Sequence, residues 1–473
     1  MIFCILAALT VQGPQRFELL DAFDRNIHDR GIVLIDWEGE IANPAIKLKV
    51  KPLTGLYLPA RVQLSANNAR VMFNLFSETT ETGPRKTMFL EEHKPIEFYM
   101  SIFGDRDGED EVHELSMEII DANEHVRALN VPIRVIDQDR VSKPNFKVEI
   151  DFSHDKTGLF EEQLARNIVI KAASDWAYFF DGSQHERVES GKWKSWIWEA
   201  DGSFRDGFEA TNQRAFDGFY LFVHGLRNPE GRSGAMASDR QRNDGLARAG
   251  TVSMEVSGNW NRLGWLMSDS NDDWWKSGNQ SRERHDFYSV VRHEMGHSFV
   301  FHRVHRNFLA RLQEGRFVSE EVHNYLGKDP VVNEVEHFID TVDPVSLVGV
   351  FGNEYGGSMP RKRWQLTKFD LLVAKSIGYR LRNTTPFIPM TVTIPDVVEV
   401  TIGKPFSIAP KIEGGIPTYF VSGTVPTEVS IDPWTGELSG AIQASRDVEI
   451  RLTFKDQDPT TAPIIKDIVL RAR

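Results

Sequence analysis

Cysteine is almost missing from this chain: of 473 residues only Cys4 carries a thiol, so no intramolecular disulfide can form. Long apolar runs are missing too. Apart from residues 2–13, IFCILAALTVQG, nothing approaches the about 18 consecutive apolar residues that a membrane-spanning helix needs, which excludes a helical transmembrane span. Basic charge is in deficit, with 55 Lys and Arg against 68 Asp and Glu and a net charge of -13. A nucleic-acid partner is therefore excluded, since a phosphate-binding surface requires concentrated cations. Internal repeats and low-complexity tracts are absent as well. The opening apolar run has the length of a signal h-region but no positive n-region, and it contrasts with the polar GPQR that follows. Residues 1–13 are read as a possible signal segment, giving a secreted or cell-envelope location; an N-terminal strand is the competing reading.

What is present is ordinary globular material: 41% hydrophobic and 26% charged residues, in a length that suggests about three domains. From residue 14 to 140, seven short alternating runs (GIVLIDWEG, AIKLKVKP, ARVQLSA, RVMFNLF, IEFYMSIFG, HELSMEII and ALNVPIRVID) predict an antiparallel, immunoglobulin-like β-sandwich. Residues 144–386 change character. Phe160, Leu164, Ile168, Ala172 and Trp176 recur at four-residue intervals and predict a core-facing helix from Gly158 to Phe180. Strand-like FDGFYLFVHGL and AGTVSMEV follow, and then a second helix, an order that predicts an α+β domain. Residues 389–473 return to strand signals around the turn-rich IDPWTGELSG and predict a third, small β-sandwich. That segment resembles the immunoglobulin-like modules at the C-termini of bacterial surface and secreted proteins, a resemblance that implies binding or spacing.

The chemistry is concentrated in RHEMGHSFVFH, residues 292–302. Asp286 is a candidate N-cap ahead of it, and Phe287, Val290 and Val291 form an apolar stripe. On a helix, His293 and His297 lie one turn apart on one face, where two imidazoles can share a zinc ion, with Glu294 beside them as general base. Such a site hydrolyses a peptide bond with a metal-activated water; catalytic zinc takes three protein ligands and keeps a fourth position open. The third ligand is not given by this motif. The bland alternative is a surface helix with two ordinary histidines.

The HExxH motif, followed by a glycine-rich turn at Met359 and an apolar helix from Thr367 to Ile377 ending in IGY, resembles the metzincin clan of zinc metallopeptidases. The resemblance covers about Phe146 to Arg382 and implies that Met359 lies beneath the metal in a methionine turn. The extended clan motif is broken here, because its glycine position is Val300 and its last ligand position is Arg303, which has no lone pair for a metal. His337 in NEVEHFIDTVDP, separated from the helix by an insertion and preceding Met359, resembles the distant third histidine of the leishmanolysin-like branch and is the preferred ligand. His302, His305 and Glu334 stay open. If the helix ran on past Val300, His302 and His305 would be carried about 7.5 and about 12 Å along its axis, at about 1.5 Å per residue. The resemblance further implies that an edge strand before the active helix, AGTVSMEV, binds an extended peptide by sheet addition.

Two further groups of side chains stand out in the sequence. Asp105, Asp107, Asp110 and Glu111 could hold calcium but lack the EF-hand spacing, so a solvated acidic turn is preferred. Trp260, Trp265, Trp274 and Trp275 could form a sugar-stacking surface, with packing under a long loop preferred. The sequence thus predicts a zinc endopeptidase acting on a protein or peptide, with a cell-surface ligand possible for the β domains. A non-catalytic surface or adhesion protein on a peptidase-like scaffold is the alternative.

Overall fold

A computed structural model of the chain describes residues 16–68, 70–73, 84–140, 143–203, 205–227, 233–238, 245–256, 265–269, 285–352, 363–382 and 388–473. Residues 1–13, Met359, Trp260, Trp274 and Trp275 lie outside them.

The protein is β-rich and built from several sheets. Between Phe17 and Asp137 there are two. A four-stranded sheet has the order Phe17–Asp21, Ile46–Pro52, Ile96–Ile102, Val71–Phe73, and a five-stranded sheet the order Ile32–Asp36, Val126–Asp137, Glu111–Ile120, Ala60–Ala66, Arg85–Leu90. Each of the seven alternating runs contributes a strand. Alternation decides which side faces in: Leu115, Met117 and Ile119 are buried, while the alternate residues Glu114 and Glu118 face outward. One pairing departs from the antiparallel expectation, since Ile32–Asp36 runs parallel to Val126–Asp137. Alternation has the same period in either orientation, so it cannot distinguish them.

The central region carries the five α-helices of the described residues: α1 (Gln163–Phe179), α2 (Phe287–Phe299), α3 (Arg306–Arg311), α4 (Glu320–Leu326) and α5 (Lys368–Ser376). Its four-stranded sheet has the order Val148–Asp151, Phe219–Leu226, Ala249–Glu255, Gly234–Ala237, with the first three strands parallel and the last antiparallel. AGTVSMEV is therefore an interior strand, contrary to expectation, and the edge beside it is Gly234–Ala237. The short GAMA sequence carries too little β-branched or aromatic material to signal a strand. In α1 the expected stripe holds from Ile168 to Trp176, but Leu164 is exposed. A strict four-residue repeat drifts around a helix of 3.6 residues per turn, and Ala165 takes the inward place.

The sandwich and the central region share one hydrophobic core. The segment after Asp36 is stitched into the central region, with Ala42 N–H donating to Leu366 O (2.7 Å) and Ala45 N–H to Val345 O (2.9 Å). Residues 389–473 form a separate core around Leu438, Ile450, Leu452, Phe454 and Leu470. This last unit rests on the first sandwich through its WTG turn. The Arg25 guanidinium lies 3.6 Å from the Trp434 ring centroid and donates to Pro433 O (2.6 Å), and Phe23 stacks on Phe420 at 5.2 Å.

Candidate metal centre

Helix α2 begins where the sequence places its cap. The Asp286 side chain accepts from Ser289 N–H, and Arg363 grips the same carboxylate from across the fold with contacts of 3.0 and 3.1 Å. Every residue of α2 is buried, charged ones included. The helix stops at Phe299, with Val300 outside the helical region at φ −133°. Glycine is not needed for this break. Phe301 turns inward onto Trp176 and Phe351, and its N–H bonds back to Gly296 O (2.9 Å).

Three imidazoles meet above the helix. His337 Nε2 lies 3.1 Å from His293 Nε2 and 3.1 Å from His297 Nε2. In tetrahedral zinc sites with Zn–N of 2.0–2.1 Å, ligand nitrogens are separated by about 3.3 Å, so this spacing suits one shared ion. The protonation pattern fits as well. His297 Nδ1 lies 2.8 Å from Phe301 O, which fixes its proton there and leaves the Nε2 lone pair facing the cluster. His337 Nε2 has one proton at most and cannot satisfy both neighbours. A cation at their meeting point can. Burial, reinforced by the neighbouring histidines, pushes His293 and His297 well below the usual imidazole range, and burial lowers His337 to about 4. All three are neutral near pH 7, the state that donates a lone pair to a metal. Glu294, buried on α2, follows His293 directly.

The other ligand candidates stand apart. His302 Nδ1 accepts from Val304 N–H (3.1 Å), and His305 Nε2 lies 3.2 Å from Ser298 O; neither belongs to the cluster. Glu334 is exposed. Arg303, at the position where the compact motif would place a ligand, has Nε 3.2 Å from Glu336 Oε1 and donates through Nη2 to Asn333 O (3.1 Å). Both partners lie in the turn that delivers His337. That turn is closed by His337 N–H on Asn333 Oδ1 (3.0 Å) and Asn333 N–H on His337 O (3.0 Å).

Sequence reasoning missed the aromatic floor. The Phe351 ring stacks on His293 at 4.4 Å and 4°, meets His297 edge-on at 4.8 Å, and lies 3.9 Å from Phe301. Gly296, inside the HEMGH motif, makes room for it, because a Cβ there would come within 2.4 Å of the ring. Its signal was present in the motif as a helix-interior glycine, which costs stability unless something packs against it.

A buried ionic group lies behind the helix. Arg292, fully buried beside His293, stacks on Tyr288 (4.1 Å) and places Nη1 3.7 Å from Asp175 Oδ2. Glu40 of the first sandwich completes this group, accepting from Tyr288 Oη (3.2 Å) and pairing with Lys171. Burial pushes the Glu40 carboxyl up, but Lys171, Arg106 and Arg292 outweigh it and hold it below its ordinary range. The acidic turn also has structural work. Asp36, Asp105 and Glu111 surround Arg70, while Asp110 accepts from Asp137 N–H (3.1 Å) and Asp107 from Glu109 N–H (2.8 Å). Trp265 packs on Phe287 at 5.3 Å and donates to Glu255 O (2.8 Å).

No family model matches the chain, and no curated protein matches it. Solved structures similar to parts of it include a putative alpha-galactosidase from Bacteroides fragilis (20% identity over 18% of this chain and 17% of that one, TM-score 0.16). They also include PapD-like domain 7 of human CEP192 (14% identity, 29% of this chain and 97% of that one, TM-score 0.19). A conjugate transposon protein from Bacteroides vulgatus matches at 11% identity over 27% of this chain and 91% of that one, with a TM-score of 0.17. The chain thus spans only 17% of the galactosidase's length, and scores this low carry no argument about activity. No helix among the described residues is long and apolar enough to cross a membrane.

Proposed function

We propose that the protein is a zinc-dependent endopeptidase of metzincin-like architecture, with His293, His297 and His337 as ligands and Glu294 as general base. The observation that carries this reading is the convergence of three neutral Nε2 atoms, two from one turn of α2 and one from a distant, tightly closed turn. Bound zinc would supply a water of pKa about 7 and polarise the scissile carbonyl. Glu294 takes the proton from the attacking water and returns it to the leaving amine. An extended substrate has a backbone edge to pair with at Gly234–Ala237, which lies against α2. The methionine turn expected at Met359 lies outside the described residues.

Purified protein is expected to hold about one zinc per chain. Casein cleavage should vanish in Glu294→Gln with zinc retained, and both zinc and cleavage should vanish in His337→Ala. Folded protein that takes up no transition metal after supplementation would overturn the proposal in favour of a non-catalytic scaffold.

A further inference from the structure

The three histidines are not held alike. His297 is oriented by a hydrogen bond from Nδ1 to Phe301 O, the usual way in which a metal-ligating imidazole is fixed. His293 has no such bond: among the described residues its buried Nδ1 has no hydrogen-bond partner. Its ring instead lies flat on Phe351, at 4.4 Å and 4° between planes. The same Phe351 ring stacks at 3.9 Å on Phe301, the residue whose carbonyl holds His297. Phe351 is itself placed from the far side, because its N–H donates to Asp370 Oδ1 (3.0 Å) and Asp370 belongs to the capping box of α5.

We propose that Phe351 is the positioning residue of this centre, substituting a ring stack for the missing hydrogen bond and holding His293 Nε2 on the shared point. This rests on the zinc reading. The imidazole has two torsions to fix; the helix limits the first, and a parallel ring stacked on its face limits the second by blocking ring rotation. An aliphatic side chain of similar bulk fills the space but presents no flat face, so the ring is freed while the core stays packed. Tyrosine keeps the face.

The test uses the full chain stripped of metal and titrated with cobalt(II), whose visible spectrum reports ligand geometry. Wild type and Phe351→Tyr are expected to give the same four-coordinate spectrum. Phe351→Leu should bind cobalt about tenfold more weakly, at the lower end of what loss of an outer-shell partner costs, with altered bands and near-native circular dichroism. Identical cobalt affinity and spectra in wild type and Phe351→Leu would overturn the inference. Should Phe351→Leu fail to fold, the metal-free wild type decides: the stack requires ring-current shifts of the His293 carbon-bound protons to high field, and ordinary imidazole shifts would overturn it. Wild-type protein that binds no cobalt would sink the zinc reading, a result distinct from cobalt binding that ignores Phe351.

Discussion

Arg303 Nε lies 3.2 Å from Glu336 Oε1, tying the chain just beyond the HExxH helix to the residue that precedes His337. An arginine at the position where the compact motif would place a ligand thus steadies the turn that carries His337. The pair is part-exposed on the Arg303 side, and exposed pairs contribute about 0–1 kcal/mol. Arg303→Ala should therefore weaken zinc binding by no more than about fivefold, measured by chelator competition, while His337→Ala abolishes it.

Gly352 tests the same turn from the opposite side. It adopts φ +71°, and a Cβ there would sit 2.3 Å from His337 Cγ. Gly352→Ala adds both a left-handed backbone penalty and a collision with the His337 ring. Expected results are a stability loss of about 1–3 kcal/mol in denaturant titration and a large drop in zinc content. Unchanged zinc content would show that His337 can be moved without consequence.

Asp139 gives a pH dependence. Burial, with Asp137 and Asp105 adding to it against a hydrogen bond from Gly39 N–H, raises its carboxyl from 3.8 to about 7. The folded state then binds the proton more tightly than the unfolded chain, so this group's contribution to stability is present below its unfolded pKa. It is lost as pH rises through the window from 3.8 to about 7. Asp139→Asn, which can still accept from Gly39, should gain stability over wild type as pH rises across that window and converge with it at low pH. Parallel curves of denaturation midpoint against pH would contradict this.

The Arg25–Trp434 contact fixes the last β unit to the first. Trp434→Ala should leave each core folded, since it removes a cation–π contact of about 1–2 kcal/mol and only peripheral packing against the first core. Amide exchange at the Asp21–Arg25 turn should speed up, and the radius of gyration should rise in solution scattering.

Alternation and helical spacing made much of this fold legible: the seven strands of the sandwich, α1, the Asp286 cap and the pairing of His293 with His297 all follow from local pattern. His337 came from a family resemblance rather than from spacing, because the insertion that delivers it has no period. What stayed hidden depends on distant partners. The parallel pairing of Ile32–Asp36, the edge strand Gly234–Ala237 and the Phe351 floor are set by which segments meet, and Glu40 reads as one of two acids in WEGEIANP. Arg303 was legible only as a failed ligand. Its tethering role required the position of Glu336.

Glu40 reaches from the first sandwich into the ionic group against which Tyr288 and Arg292 of α2 are lodged. Shortening the protein to begin at residue 144 would take Glu40 from Lys171 and Tyr288, take Arg106 from Asp175, and strip apolar surface from α1. Such a fragment would lack one wall of its own interior, and the support behind Tyr288 and Arg292 of α2 would be lost with it.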